Sequence, residues 1–168
     1  SLDDYDQWLE FFKDPASFIH WKSEQQSPEK ECSDWYEKQF NRYEFDRGGM
    51  NALIEKSSGK LIGHCGLLVQ QVDGITELEI GYSLLLNGRN KGYATEAAMK
   101  CKEYAFANNL TSSLISIISL TNQPSMNVAV KNGMKPEKQT VYNGNEVMIY
   151  RILATKPLSF LYLGGLKI

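Results

Sequence analysis

The central part of the sequence, residues 77–119, places a strand, a glycine-containing turn, a helix and a second strand in succession. The run ELEIGYSLLL alternates Leu78, Ile80 and Tyr82 with polar or small residues, which is typical of a strand with one buried face. The run TEAAMKCKEYAFANN has apolar residues at helical spacing, and SLISIIS is typical of a fully buried strand. Because a helical crossover joins parallel strands, this unit predicts a sheet with a parallel pair, covered by helices.

The segments on either side predict two leading helices and two hairpins. Residues 1–47 show no strand alternation and carry apolar residues at helical spacing before Pro15 and again after Ser27, which is suited to cap a helix. Paired apolar runs surround the turns SSGK and Asn143-Gly144, a pattern typical of β-hairpins. The predicted order is ααβββαβαββ, with one short helix in NQPSMNVAVKNG, and the fold class is α/β (α+β).

Charge and composition exclude several classes of protein. The net charge of −2 argues against a general nucleic-acid binder. No run reaches the ~18 apolar residues of a membrane span, and no signal peptide is visible. The three cysteines are widely spaced and there are only two histidines, so neither a metal site nor a Ser-His-Asp triad is expected. These features predict a cytoplasmic protein without a metal.

The charges are unevenly distributed along the chain. Residues 1–47 carry twelve acidic and six basic side chains, whereas residues 48–168 carry eight acidic and twelve basic ones. One interpretation is that the acidic front meets a cation and the basic remainder meets an anion. The alternative is that the front is a solvated helical surface.

The turn NGRNKGYATEA, between the first strand and the helix of the central unit, favours an anion. A helix N-terminus exposes about four unpaired N–H groups. Gly88 and Gly92 allow a phosphate to approach the backbone, and Arg89 and Lys91 add positive charge. Neither GxxxxGK[ST] nor GxGxxG is present, which argues against a P-loop or Rossmann enzyme. The alternative is a strand-to-helix turn that merely needs glycine.

Arg89-x-x-Gly92-x-Ala94 resembles the pyrophosphate loop, Q/R-x-x-G-x-G/A, of the GNAT acetyltransferases. The runs KLIGHCGLLV, ELEIGYSLLLNGRNKGYATEA and TNQPSMNVAVKNGMK, in this order, resemble the branch that contains the ribosomal-protein N-terminal (alanine/serine) acetyltransferases. The resemblance covers roughly residues 50–152. It implies the GNAT fold, a mixed and mostly antiparallel twisted sheet flanked by helices, with a central βαβ unit that binds acetyl-CoA. The family's opening strand has no counterpart, because the sequence starts at the first helix.

The resemblance also assigns the cofactor contacts. The strand backbone around Leu84 and Leu86 would pair with the pantetheine arm, to which Asn122 would hydrogen-bond. The backbone amides of residues 90–95 would hold the pyrophosphate. The implied cofactor-binding residues are Leu84, Leu86, Arg89, Asn90, Lys91, Gly92, Tyr93, Ala94, Thr95 and Asn122.

Acetyl transfer to an amine requires a neutral nucleophile. Deprotonating a lysine-like amine costs ~4.6 kcal/mol at pH 7, and an α-amine costs only ~1 kcal/mol. A carboxylate that accepts the proton therefore matters more for the first kind of amine. By the resemblance, Glu79 occupies a strand position where several family members carry this base, and Glu77 on the same face is the reserve. The alternative is that Glu79 pairs with a lysine of a neighbouring strand.

The departing thiolate of CoA needs a proton donor. Many family members carry a tyrosine four residues before the glycine that ends the short helix, and here that position is Ala129. By the resemblance Ser125 is the substitute, although Ser125 and Asn122 are also suited simply to cap the short helix. A β-bulge near residues 83–86 would supply an oxyanion donor.

The sequence thus predicts an N-acetyltransferase that moves the acetyl group of acetyl-CoA to a primary amine by direct transfer in a ternary complex. The acceptor would be a protein N-terminus, a polyamine, an amino acid or an antibiotic, and the enzyme a monomer or homodimer. The alternative is a catalytically weak CoA-binding or regulatory domain. Within one domain, residues 1–47 would wall the acceptor site, with His20 and Trp21 as candidate contacts, residues 48–156 would form the sheet and cofactor-binding core, and the apolar tail 157–168 is unassigned.

Overall fold

Six strands form one sheet, with helices on both of its faces. The computed structural model describes residues 2–22 and 26–155, so the tail 157–168 lies outside the described residues. The four α-helices are α1 (Tyr5–Lys13), α2 (Pro28–Glu44), α3 (Tyr93–Ala107) and α4 (Gln123–Lys131). The strands are β1 (Gly48–Ile54), β2 (Leu61–Val72), β3 (Ile75–Leu84), β4 (Ser113–Ser119), β5 (Lys135–Tyr142) and β6 (Asn145–Leu153). Short 3₁₀ turns cover Leu2–Asp4, Pro15–Ser17 and Leu86–Gly88.

The strand order in the sheet is β1-β2-β3-β4-β6-β5, and only β3 and β4 run parallel among the described strands. This confirms the predicted mixed, mostly antiparallel sheet with a central βαβ unit. Helices α1 and α2 bury an aromatic cluster against one face, whereas α3 and α4 cover the other. Among the described residues, no helix combines the length and the apolar character needed to cross a membrane.

Local signals place the ends of these elements where the sequence predicts them. The Ser27 hydroxyl accepts a hydrogen bond from the Lys30 N–H and caps α2, with Pro28 at its first position. The turn between β5 and β6 has left-handed backbone at both Asn143 and Gly144, as a two-residue hairpin of this type requires. The predicted hairpins and helix caps are therefore confirmed at these positions.

The two central strands separate soon after they meet. Glu79 and Ile115 are the one aligned pair between the described parts of β3 and β4. Beyond it β3 stays paired with β2, and β4 stays paired with β6. The Ser116 hydroxyl donates to the Ile80 carbonyl (2.9 Å) at the base of the gap. A wedge-shaped opening therefore lies between the ends from which the chain enters α3 and α4.

The end of β3 differs from the sequence-based expectation. The strand stops at Leu84, and the Leu85 N–H donates to the Ile62 carbonyl (3.0 Å). Leu86 begins a 3₁₀ turn in which its carbonyl accepts from the Arg89 N–H (3.2 Å), so Leu86 is not a strand residue. The pairing of β2 with β3 is regular up to Leu84, and the expected bulge near residues 83–86 is absent from this part of the described chain.

A buried histidine sits in the aromatic cluster beneath α1. The His64 ring centroid lies 4.3 Å from that of Trp8 and 4.7 Å from that of Trp35, and the residue is 3% exposed. Its Nε2 is 3.4 Å from an Asp4 carboxylate oxygen. Burial lowers the pKa of His64 to about 4, and Asp4 offsets only part of this effect. The folded protein therefore keeps His64 neutral well below pH 6.5.

We expect the free energy of unfolding to fall by about 3 kcal/mol between pH 6.5 and pH 4 because of His64. The unfolded chain takes up the proton near pH 6.5, but the folded protein takes it up only near pH 4. This stability is therefore fully present above pH 6.5 and is lost as the pH falls. Urea unfolding across this range measures the slope, and His64→Gln should flatten it. Equal slopes in both proteins would contradict the prediction.

Candidate active site

The elbow between β3 and α3 presents a row of unused backbone donors. The Arg89 N–H bonds to Leu86, and the first N–H of the helix to find a partner is that of Glu96, which donates to the Gly92 carbonyl (3.0 Å). Between them, the amides of residues 90–95 have no hydrogen-bond acceptor among the described residues. Asn90 and Gly92 adopt positive φ, and a Cβ at Gly92 would meet nothing within 4 Å. The elbow is therefore an open set of six donors at the positive end of a helix.

The Arg89 side chain is directed away from these donors. Its Nη1 lies 2.9 Å from an Asp14 carboxylate oxygen, Nη2 donates to the Ser17 hydroxyl (2.9 Å), and Nε donates to the Leu84 carbonyl (3.1 Å). Its guanidinium thus ties the elbow to the turn that follows α1. Asp14, Ser17 and Leu84 engage three of its five N–H groups, and the expectation that Arg89 binds an anion stays a prediction.

Lys91 and Tyr93 share a carboxylate that the sequence analysis did not associate with the elbow. The Tyr93 hydroxyl donates to Glu55 Oε1 (2.6 Å), and Lys91 Nζ lies 4.0 Å from the same atom. Hydrogen bonds from Ser58 and Tyr93 lower the pKa of Glu55, which keeps it ionised. The Lys91 side chain is 54% exposed, and its own backbone N–H is one of the open amides. This contact orients Tyr93 and leaves Lys91 as an accessible cation at the elbow.

The start of α4 forms the other rim of the opening. Asn122 Oδ1 accepts from the Ser125 N–H (3.1 Å) and so caps the helix, as predicted. The Tyr82 hydroxyl, from β3, donates to the Ser125 carbonyl (2.9 Å). Burial raises the pKa of Tyr82, so it remains a protonated donor. The Ser125 backbone is thus held on both sides, while its hydroxyl and the Asn122 amide nitrogen bond to no other described residue.

The hydrogen bond between the Tyr82 hydroxyl and α4 was not predicted from the sequence. The alternation of β3 placed Tyr82 with Leu78 and Ile80 on a buried face, and that placement is right because all three contact the same hydrophobic cluster. Its polar end nevertheless crosses the opening to α4. A buried tyrosine hydroxyl needs a partner, and that general rule was the one available signal.

Glu79 lies at the point where β3 and β4 separate. Its Oε2 accepts from Gln70 Nε2 (2.6 Å), and its Oε1 accepts a long hydrogen bond from the Ile117 N–H (3.4 Å). Burial raises the pKa of Glu79, and the two hydrogen bonds together with Arg42 and Lys38 act in the opposite direction. The site therefore holds a carboxylate whose affinity for a proton is above normal.

Glu77 is engaged elsewhere. Arg151 of β6 binds both of its oxygens, with Nη2 2.6 Å from Oε1 and Nη1 3.1 Å from Oε2. Glu137 is a further partner of the same arginine (2.8 Å). A bidentate pair of this kind stabilises the ionised carboxylate and occupies its lone pairs. Glu77 thus joins β3 to β6 through this ion pair, and its use as the reserve base stays a prediction.

The segment around residues 18–22 reaches the same side of the sheet as Glu79. His20 Nδ1 lies 2.9 Å from the Thr121 hydroxyl, next to the start of α4. Trp21 packs on the apolar cluster of β2, β4 and β6. The Lys22 backbone N–H and carbonyl bond to the Asn145 side chain at 2.6 and 3.2 Å. The structure thus brings His20 and Trp21 to the sheet face on which the Glu79 carboxylate lies.

The comparisons with known proteins all indicate the same family. The model of the acetyltransferase (GNAT) domain matches residues 1–135. An uncharacterized protein, YkkB, of Bacillus subtilis (strain 168) is 36% identical over 84 residues, covering 50% of this chain and 49% of the relative. An uncharacterized N-acetyltransferase, YnaD, of the same strain is 33% identical over 109 residues, covering 63% of each. The matches thus span about half to just under two thirds of these relatives.

Solved structures share the fold at low sequence identity. An acetyltransferase from Agrobacterium tumefaciens str. C58 superposes with a TM-score of 0.74 at 20% identity, covering 92% of this chain and 87% of the other. The ribosomal L7/L12 α-N-protein acetyltransferase RimL in complex with CoA gives 0.71 at 13% identity, covering 91% and 90%. The microcin C7 self-immunity acetyltransferase MccE in complex with acetyl-CoA and AMP gives 0.72 at 17% identity, covering 92% and 89%.

Proposed function

Because the chain belongs to the GNAT acetyltransferase family, we propose that it transfers the acetyl group of acetyl-CoA to a primary amine within a ternary complex. The observation that carries this proposal is the row of six unpaired amides at residues 90–95, next to the opening between β3 and β4. A diphosphate is the part of CoA that such a row of donors suits. Two proteins of the same fold, RimL and MccE, were solved with CoA or acetyl-CoA, which supports this cofactor.

The cofactor would enter along the opening. Its pyrophosphate would accept hydrogen bonds from the amides of residues 90–95, with Lys91 as a nearby cation. The pantetheine arm would follow the edge of β3 as far as Leu84, since Leu86 has left the strand. The free amide nitrogen of Asn122 would donate to the arm from the opposite rim. The thioester would then lie between the two rims.

The chemistry would be a single displacement. The amine nitrogen attacks the thioester carbonyl carbon, a C–N bond forms, and the C–S bond breaks. Glu79 would accept the proton that the amine loses, directly or through a water. The Ser125 hydroxyl, which has no other partner in the described structure, would donate a hydrogen bond to the departing thiolate, which then takes its proton from solvent. Glu79 faces α2, whereas Ser125 lies in the first turn of α4 on the other face of the sheet.

The acceptor would come from the side of α1 and α2. The acidic surplus of residues 1–47 would attract an amine, and Trp21 offers an apolar surface on the same face. A protein N-terminus, a polyamine, an amino acid and an antibiotic amine all fit this description. The proposal therefore names the reacting group and leaves these four classes as acceptors.

Labelled acetyl-CoA, incubated with the protein and a panel of peptides, polyamines, amino acids and aminoglycosides, tests the proposal. We expect one class to become labelled, with one free CoA thiol released for each acetyl group transferred. Binding of acetyl-CoA without any labelled acceptor would instead favour a catalytically weak CoA-binding domain. No binding at all would overturn both readings.

Ser125→Ala should lower kcat about tenfold and change the Kd for CoA less than twofold. The substitution removes the thiolate donor but keeps the Asn122 cap, which uses the backbone N–H of residue 125. Thiol release measures the rate, and calorimetry with CoA measures the affinity. Ser112→Ala is the matched control, because Ser112 is an exposed serine just before β4. A kcat equal to that of the unmodified protein would assign the stabilisation of the thiolate to another group.

A further inference from the structure

A glutamine on β2 holds the Glu79 carboxylate through a chain of hydrogen bonds. Gln70 Nε2 donates to Glu79 Oε2 (2.6 Å). Gln70 Oε1 accepts two hydrogen bonds, from Arg42 Nη2 (2.9 Å) and from the Tyr142 hydroxyl (3.0 Å). These four side chains come from α2, β2, β3 and β5 and meet at one point. This series of hydrogen bonds orients the four side chains more specifically than apolar packing alone would.

Arg42 and Glu79 together fix the orientation of the Gln70 amide. If the Gln70 amide were flipped, its NH₂ group would face Arg42 and Tyr142, and its oxygen would face a carboxylate. The contacts with Arg42 and with Glu79 would then both be repulsive, and only the Tyr142 hydroxyl, which can also accept, would keep a hydrogen bond. Arg42 is itself immobilised, because it is 6% exposed and Nη1 donates to the Arg47 and Val69 carbonyls at 3.2 and 3.0 Å. Gln70 is thus held with its N–H directed at Glu79.

The two oxygens of Glu79 are left in different states. Oε2 has a short hydrogen bond from Gln70, whereas Oε1 has only the long contact with the Ile117 N–H (3.4 Å). A carboxylate held in this way keeps one oxygen available. Oε1 is therefore the atom able to accept a proton from an incoming amine.

We propose that Gln70 is a positioning residue for the reaction, which orients Glu79 through Oε2 and stabilises its ionised form while Oε1 receives the proton. This inference rests on the proposed function, since it takes Glu79 as the base. Arg42 acts through Gln70 by fixing the orientation of its amide, and the Tyr142 hydroxyl bonds to the same amide oxygen. None of the three touches the acetyl group or the amine.

Several groups facing Glu79 set its ionisation. Arg42 and Lys38 face it from α2, Gln70 from β2 and the Ile117 N–H from β4, and each of these lowers its pKa against the larger effect of burial. The Tyr142 hydroxyl on β5 is also close enough to interact with its charge. Without the hydrogen bond from Gln70, fewer interactions oppose the effect of burial, which raises the pKa of Glu79. The pKa of Glu79 should therefore rise further, by about one unit, which corresponds to a tenfold change.

Gln70→Leu tests this through two readouts. Carbon NMR titration of the Glu79 carboxyl should show a pKa about one unit higher, and the acidic limb of the pH profile of kcat/KM should move by the same amount. Gln71→Leu is the matched control, because the neighbouring Gln71 donates to Thr76 and makes no contact with Glu79. This control should leave both readouts unchanged. A merely structural role for Gln70 would lower the activity at all pH values without moving the limb.

A second variant, Gln70→Glu, provides the test if Gln70→Leu does not fold. Gln70→Glu keeps partners for Arg42 and Tyr142 but places an acceptor against Glu79, so the pKa of Glu79 should rise even more. An unshifted carboxyl pKa in both folded variants would overturn the proposal, as would a shifted pKa with an unshifted pH profile. Glu79→Gln distinguishes a failure of the proposed role of Glu79 as the base from a failure of the proposed role of Gln70. Full activity in that variant would refute Glu79 as the base, while the NMR titration would still report whether Gln70 acts on it.

Discussion

Replacing Gly92 with glutamate should weaken acetyl-CoA binding more than 100-fold. The new carboxylate would sit at the open elbow, beside the amides that are proposed to hold the pyrophosphate. Two like charges about 5 Å apart at an effective dielectric near 20 repel by about 3 kcal/mol, which alone corresponds to a factor above 100. Calorimetry with CoA measures the loss directly.

A glycine elsewhere in the molecule provides the control. Gly92 and Gly74 both adopt positive φ (+86° and +77°), and neither has any atom within 4 Å of the position of a new Cβ. Gly74→Glu therefore introduces the same backbone strain and the same charge, but in the turn between β2 and β3 at the far end of β3. We expect both variants to melt at similar temperatures, and only Gly92→Glu to lose CoA. If Gly92→Glu bound CoA with unchanged affinity, the elbow would not be the pyrophosphate site.

The parts of the fold that follow from local chemistry were predictable from the sequence. The strand, elbow, helix and strand of residues 77–119 were readable because periodicity and glycine placement depend on neighbouring residues only. The caps at Ser27 and Asn122 follow from the same kind of signal, and both make the expected hydrogen bonds. The family resemblance then supplied the GNAT fold, in which these local elements form one mixed, mostly antiparallel sheet.

The contacts that the sequence did not reveal join residues far apart in the chain. Arg89 bonds to Asp14, and Glu77 bonds to Arg151, each across more than seventy residues. A lone charged residue carries no mark of its partner, so Arg89 was assigned to an anion and Glu77 to a reserve base. The gap between β3 and β4 was also not predictable from the sequence, because it depends on the residue at which the two strands stop pairing. Glu79 kept a candidate role because its environment, unlike that of Glu77, contains no bidentate cation.

Replacing Glu79 with glutamine should lower kcat for a lysine-like amine by a factor of about 100 or more. The amide has nearly the same shape but accepts no proton, so the amine must be deprotonated by solvent. That step costs ~4.6 kcal/mol at pH 7 for a lysine-like amine and only ~1 kcal/mol for an α-amine. The loss for an α-amine should therefore be distinctly smaller. Paired acceptors, such as a peptide with one free α-amine and one with a single free lysine, measure this difference.

The pH dependence adds a second signature. Burial raises the pKa of Glu79 above its usual 4.5, and the base works only when ionised. Activity should accordingly be lost as the pH falls through this raised pKa, and Glu79→Gln should remove that limb while the limb set by the amine remains. Glu77→Gln is the control: it breaks the pair with Arg151, so it should lower the melting temperature without any selectivity between amines. If Glu79→Gln instead reduced both amines equally and kept the acidic limb, the proton would have to leave through a different group, and His20 beside Thr121 would be the next residue to test on that face.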